Sequence, residues 1–434
     1  MNESTRDAGL VRAVGPWALA ASIFNLIVGA GIFAVPAALS ASIGPYAPLA
    51  IMFCAVAVCA TAICFAEGGS RVPTSGGAYG YIEVAFGPLA AYVAGTLLWI
   101  GEVLACGGVA AALADVVASV LPHRISTAVH AAVIVGVVGG IALVNVGGVA
   151  RGAKFASATT VVKLLPLVVF VLVGAFHMHS GNFGGTSEPT TQGLGRAVIL
   201  ALFAFIGMET PLSASGEVSE PSRTIPRALL IAMTSVTVLY VAVQAVAQGI
   251  LGPALAHSHA SLADAMAQVS PALRLLMIAG AVLSMFGWLS ADILGSPRML
   301  FAFARDGLLP RALGRVHPRS HAPHVAILVY AALAIGLALT GTFAELAVLS
   351  TLPIAVLYGA ACAAAWVLAR RGVAFAGSPL SFRWLGSAAL IGIGSMLVMI
   401  ALASRAEVTG VLGLVTLSVV VYAVSKWRVA AQPG

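Results

Sequence analysis

The chain has 434 residues, 60% of them hydrophobic and only 9% charged, at a mean hydropathy of +1.03. A soluble domain keeps about a quarter of its residues charged, so this composition excludes one and puts most of the chain against lipid or other membrane helices. The net charge of +7 does not indicate nucleic acid, because the basic residues are scattered between apolar runs and form no patch; they read as topology signals.

Runs of roughly 20 apolar residues can each span a bilayer. They divide the chain into twelve predicted helices, at about 16–40, 46–66, 88–119, 127–149, 155–177, 193–217, 226–251, 273–303, 323–341, 344–369, 385–404 and 409–427. The first run is too long for a signal peptide, which predicts no cleaved leader. The third and eighth are the longest and are expected to tilt. The five cysteines (Cys54, Cys59, Cys64, Cys106 and Cys362) lie inside these runs without metal-ligand spacing, which predicts neither a disulfide framework nor a zinc site.

With the N-terminus in the cytoplasm, Arg71, Arg151, Lys154, Arg223, Arg227, Arg305, Arg311, Arg315, Arg370 and Arg371 fall inside, whereas Arg124, Arg196, Arg274 and Arg405 fall outside. That bias follows the positive-inside rule and predicts two cytoplasmic termini. The outer stretch 177–192 reads as a polar connector. The inner stretches 67–88 and 305–323 read as short interfacial helices or as loops held at the headgroups. No soluble domain fits anywhere, so 1–434 is expected to form a single transmembrane domain.

Two runs are interrupted. Gly29-Ala30-Gly31 breaks the first, and the stretch Phe205-Ile206-Gly207-Met208-Glu209-Thr210-Pro211 breaks the sixth. Gly and Pro weaken a helix, and in hydrocarbon each freed backbone group needs a partner. Paired breaks in corresponding halves are the mark of an inverted-repeat transporter with its site at the midplane. They predict repeat one at about 16–177 and repeat two at about 193–369, in opposite orientation, with helices eleven and twelve (about 385–427) appended.

In this arrangement the chain resembles the amino acid–polyamine–organocation (APC) transporters of bacteria over essentially its whole length. The matching elements are GAGIFAVPA (Gly29–Ala37), RVPTSGGAYGYIEVAFGP (Arg71–Pro88), TTVVKLLPL (Thr159–Leu167), FAFIGMET (Phe203–Thr210) with EVSEPSRTIPRAL (Glu217–Leu229), and SPRMLFAFARDGLLP (Ser296–Pro310). The resemblance implies an all-α membrane protein of LeuT type, a 5+5 inverted repeat with discontinuous helices one and six, set in the bacterial inner membrane. It also implies alternating access, with substrate bound between the two breaks.

A half-helix N-terminus favours an anion, so N–H groups near Gly29, Ala30, Gly31 and Ile32 are expected to hold a substrate carboxylate. Carbonyls freed near Phe203, Ala204 and Ile206 would accept from its ammonium group. Taken alone, these glycines could equally be close-packing residues of a membrane bundle; the second break favours a site. Glu102 is a carboxylate placed amid the bilayer, costly there unless it faces the bundle interior or a cavity. The family's arginine/agmatine antiporter has a substrate-facing asparagine at the corresponding place. Glu102 therefore reads either as a counter-charge for a cationic or amine substrate, the reading preferred here, or as a protonated group bonded within the bundle.

Lys163 stands where several sodium-independent relatives put a lysine in place of a sodium ion, next to helices one and eight. Its charge would replace the cation's, and its proton could couple transport to protons. Glu209 reads as a structural partner of the N–H groups where helix six restarts, or as a gate. Phe203 and Trp288 are placed to close over the substrate, with a cation–π contribution if it is cationic, although aromatics at such positions are commonly mere packing. Asp115 and Asp292 are further intramembrane carboxylates, Asp292 spaced to pair with Arg298.

The sequence holds no Ser/His/Asp array, P-loop or metal cluster, so neither an enzyme nor a cofactor is expected. The function expected is sodium-independent secondary transport of amino acids or related amines, by proton coupling or exchange. The partners are the small-molecule substrate, the lipid bilayer and, for a coupled mechanism, protons. The alternatives are a permease for neutral amino acids and a nutrient-sensing receptor on a transporter scaffold.

Overall fold

In lipid a chain must satisfy its backbone internally, which leaves helices or closed barrels. The computed structural model, which describes residues 14–72, 77–119, 127–147, 163–184, 189–212, 218–320, 322–375 and 379–430, answers with helices. In chain order they are α1 (Pro16–Ile27), α2 (Gly31–Ile43), α3 (Ala47–Arg71), α4 (Ala78–Phe86), α5 (Pro88–Ala118), α6 (Thr127–Val146), α7 (Leu164–Gly174), α8 (Thr191–Phe205) and α9 (Glu209–Leu212). They continue as α10 (Pro221–Leu251), α11 (Ser261–Ala267), α12 (Pro271–Gly295), α13 (Pro297–Arg305), α14 (His324–Thr340), α15 (Phe343–Arg370), α16 (Leu385–Leu402) and α17 (Arg405–Ala430). Among the described residues, 8 helical stretches are long and apolar enough to cross a membrane, and four shorter apolar helices accompany them. The first half of the fifth predicted span, with Arg151 and Lys154, lies outside the described residues, as does Arg124.

The interruptions are real. The first predicted span divides into α1 and α2, with residues 28–30 unwound between them, and the sixth divides into α8 and α9. Other elements depart from the expectation for local reasons. The second span runs on to Arg71, past where its polar residues seemed to end it, because Glu67 and Arg71 neutralise each other inside the protein. The eighth is divided at Ser296, ahead of Pro297. Stretch 67–88 contains a nine-residue helix, α4, whereas 305–323 forms only the single 3₁₀ turn Arg311–Gly314. The connector after α10 holds the unexpected α11, fastened by the Ser258 hydroxyl donating to Asp264 at 2.6 Å.

Helices α5 and α15 form the centre, and small residues let them approach. A Cβ on Gly101 would lie 2.8 Å from Ile354 Cδ1, and one on Gly108 would lie 3.2 Å from Leu346 Cβ. Such small-residue seams are how membrane helices gain packing without a hydrophobic drive between them. On the outside, Trp17, Leu172, Phe176, Leu230, Trp384 and Trp427 stand exposed, as a lipid-facing surface requires.

The end of α3 is a polar clamp. Glu67 Oε1 accepts from Arg71 Nε (2.9 Å) and Nη2 (2.6 Å), and Glu67 Oε2 accepts from the Phe382 N–H (3.0 Å). Arg71 Nη1 donates to the Val373 carbonyl, while the Phe375 N–H donates to the Arg71 carbonyl. The clamp thus fixes the crossing from α15 to α16. Removing one partner of a buried pair strands the other's charge, so Arg71→Ala is expected to cost about 3–5 kcal/mol. The measurement is the apparent Tm of purified protein in detergent; an unchanged Tm would show the clamp to be dispensable.

Candidate substrate site

The last turn of α1 closes normally, with the Val28 N–H donating to the Phe24 carbonyl, and then the chain unwinds. The carbonyls released there are taken by three separate helices. Lys163 Nζ, at the head of α7, donates to the Asn25 carbonyl. The Tyr240 hydroxyl of α10 donates to Ile27 at 2.8 Å, and the Ser284 hydroxyl of α12 donates to Gly29 at 3.0 Å. The N–H groups of Ala30, Gly31 and Ile32 head α2, where a helix has no internal acceptor for them. They carry the positive end of its dipole.

At the second break Ile206 is extended (ψ 145°) and Gly207 has φ +126°, a conformation that glycine alone adopts without strain. A Cβ on Gly207 would lie 3.2 Å from both the Leu26 carbonyl carbon and its oxygen, so the two breaks meet backbone to backbone. Glu209 Oε2 accepts from the Gly207 N–H (3.2 Å) and from the Tyr358 hydroxyl (2.6 Å), while its Oε1 is buried without a hydrogen-bond partner. The Phe203 carbonyl accepts from the Ile206 N–H at 3.3 Å, which closes the end of α8.

Between the breaks lies a small cavity. Leu26, Ile27, Gly29, Ala30 and Gly31 line one side, Phe203 and Ile206 the second break, and Trp288 of α12 another wall. Gly101, Glu102, Ala105 and Val109 of α5 and Ser350 and Ile354 of α15 complete it. Trp288 packs on the unwound strand so closely that a Cβ on Gly29 would sit 2.6 Å from its Cδ1. Phe203 is steadied edge-on by Phe343, with ring centroids 5.6 Å apart.

The structure therefore brings Gly29, Ala30, Gly31, Glu102, Phe203, Ile206 and Trp288 around one space. Ile32 and Ala204 are not among its lining residues; Ala204 instead packs against Gly31, its Cα 3.1 Å from where a Cβ on that glycine would stand. Lys163 and Glu209 stand behind the lining, each holding one of the breaks. Asp292 does not pair with Arg298: its Oδ1 accepts from Ser296 (2.6 Å) and its Oδ2 from the buried Tyr330 hydroxyl (2.7 Å), and the divided helix carries Arg298 onto α13. Asp115 pairs with His130 at 3.2 Å.

Sequence reasoning missed the α15 wall, because Ser350 and Ile354 carry no signal in an apolar run. Gly101, Ala105 and Val109 were within reach, since they fall on the same face of α5 as Glu102 at helical spacing.

A bundle of apolar helices, two of them broken around a shared interior cavity, is the architecture of a membrane transporter. Comparison with known proteins makes the class specific. The profile of the amino acid permease family matches residues 14–424, and the chain belongs to that family, within the APC superfamily. An uncharacterized transporter of Mycobacterium tuberculosis is 33% identical over 356 residues, covering 79% of this chain and 77% of the relative. A serine/threonine exchanger of Bacillus subtilis is 26% identical over 378 residues, covering 85% of both chains. A methylthioribose transporter of the same organism is 26% identical over 342 residues, covering 74% of each. The protein is thus a multi-pass membrane transporter and not an enzyme.

The contact between Gly29 and Trp288 yields a direct test. Gly29→Ala forces the indole aside and should weaken substrate affinity by about tenfold or more, near 1.4 kcal/mol. Trp288→Leu in the same chain should recover part of that loss, a coupling of about 0.5–3 kcal/mol in a double-mutant cycle on substrate affinity. Strict additivity would mean that the two residues do not share the site.

Proposed function

We propose that the chain is a sodium-independent secondary transporter of amino acids or related amines, working by alternating access, with either proton coupling or exchange. One observation carries this reading: the two helix breaks face each other across a single cavity. The N–H groups of Ala30, Gly31 and Ile32 would take the substrate carboxylate, as the positive end of a helix dipole favours. Carbonyls of the second break, at Phe203, Ala204 and Ile206, would accept from the ammonium group. Trp288 and Phe203 would cover the bound molecule, and Glu209 would steady the second break or gate it. A relative that exchanges serine and threonine supports an amino acid as cargo.

In the arrangement we propose, twelve spans form two inverted five-helix repeats, at about 16–177 and 193–369, with 385–427 appended. This is the LeuT type, with both termini cytoplasmic and the protein in the bacterial inner membrane. Lys163 provides a fixed positive charge against the first break, where a sodium-coupled transporter would need a bound cation. Its bond to the Asn25 carbonyl supports that role.

Purified protein in proteoliposomes should take up labelled amino acid, faster when unlabelled substrate is trapped inside. Replacing sodium with choline at fixed pH should leave uptake intact, and Lys163→Ala should reduce it by about tenfold or more. Strict sodium dependence would overturn the role of Lys163. No uptake of any amino acid or amine would overturn the transport reading and favour a receptor.

A further inference from the structure

We infer that the seam between the end of α15 and the start of α16 holds the headgroup of an anionic phospholipid, with Arg370 and Arg383 gripping its phosphate. The site lies on the outer surface of the bundle and is independent of what the cavity carries.

The argument begins with two arginines that the fold does not use. Among the described residues, Arg370 and Arg383 enter no hydrogen bond and no ion pair. Their neighbours are engaged: Arg371 donates to the Ala85 carbonyl at 3.1 Å, and Arg71 is bound to Glu67. Arg370 and Arg383 lie over indoles instead. The Arg370 guanidinium carbon is 4.7 Å from the centre of the Trp366 ring, and that of Arg383 is 5.7 Å from Trp384. An indole face supports a guanidinium by cation–π attraction and leaves the N–H edge free. That edge matches a phosphate bidentately.

The two pairs belong to one place. Trp366 is near the end of α15, yet its Nε1 lies 3.9 Å from where a Cβ on Gly386 would stand, in the first turn of α16. Arg383 and Trp384 directly precede that turn. Two positive charges therefore meet at one helix seam.

What continues from the seam makes the occupant a lipid rather than a soluble anion or an acidic protein. Trp384 is 69% exposed, and beyond it Leu390, Ile391 and Leu397 stand exposed on α16. With a helical rise of about 1.5 Å per residue, Leu390 stands about 9 Å along the helix from Trp384. Tryptophan favours the depth where headgroups meet acyl chains. A phosphate held by the two guanidinium groups would have its chains lying along this apolar face. A zwitterionic lipid fits less well, because its own cation opposes the arginines.

The experiment is native mass spectrometry of the full chain, delipidated in detergent and titrated with phosphatidylglycerol or phosphatidylcholine of matched chains. Wild type should retain one phosphatidylglycerol about tenfold more tightly than phosphatidylcholine. Arg370→Gln combined with Arg383→Gln should remove that preference, and each single change should reduce it about threefold. Lys426→Gln removes a cation placed over Tyr422 on α17 and should leave the preference as it was; this control separates a site from an effect of net charge. Equal retention of the two lipids by wild type would overturn the inference. So would an unchanged preference in the double variant, or an equal loss in Lys426→Gln. If the double variant does not fold, the single changes decide, and a wild-type preference in both overturns the site. Displacement of the lipid by an equal concentration of glycerol phosphate would show a free-anion site and overturn the lipid. Transport is read in none of these arms, so their failure leaves the transport reading standing.

Discussion

Hydrocarbon offers a polar backbone group nothing, and the site depends on how the chain meets that constraint twice. At the first break the freed carbonyls are taken up by side chains from other helices, while Ala30 and Gly31 at the start of α2 line the cavity. At the second, Glu209 receives the Gly207 N–H. Glycine makes this arrangement possible in two ways: at Gly207 by a dihedral that no side chain would tolerate, and at Gly29 by leaving room for an indole.

Two buried acids near the cavity, Glu209 and Asp292, are met by hydroxyl or N–H donors rather than by a basic side chain. Tyr358 serves Glu209, while Tyr330 and Ser296 serve Asp292. Glu67 and Arg71 do the opposite, cancelling within one turn at the edge of the bundle.

Much of this was legible in the sequence, because the membrane reduces folding to a few rules. Long apolar runs gave the helices, and glycine in two of them gave the breaks. What escaped was whatever depends on a side chain's direction rather than its type. Asp292 was matched to Arg298 by spacing along one helix, yet that helix is divided between them and a tyrosine thirty-eight positions further on fills the role. Ser350 was invisible because a lone serine in an apolar run signals nothing until the facing helix is known. Register along a helix can be read from a sequence; the rotation of one helix against another cannot.

The three donors that hold the first break bear on speed. Asn25, Ile27 and Gly29 lie on alternate residues, and their carbonyls are held from α7, α10 and α12 in turn. A hydrogen bond between neutral groups contributes about 0.5–1.5 kcal/mol net, and one to a charged group about 1.5–3. Released together, the three would add to one steep barrier; released one at a time, each step costs only its own share. A strand latched at several weak points by independent helices can therefore rearrange like a zip rather than a bolt.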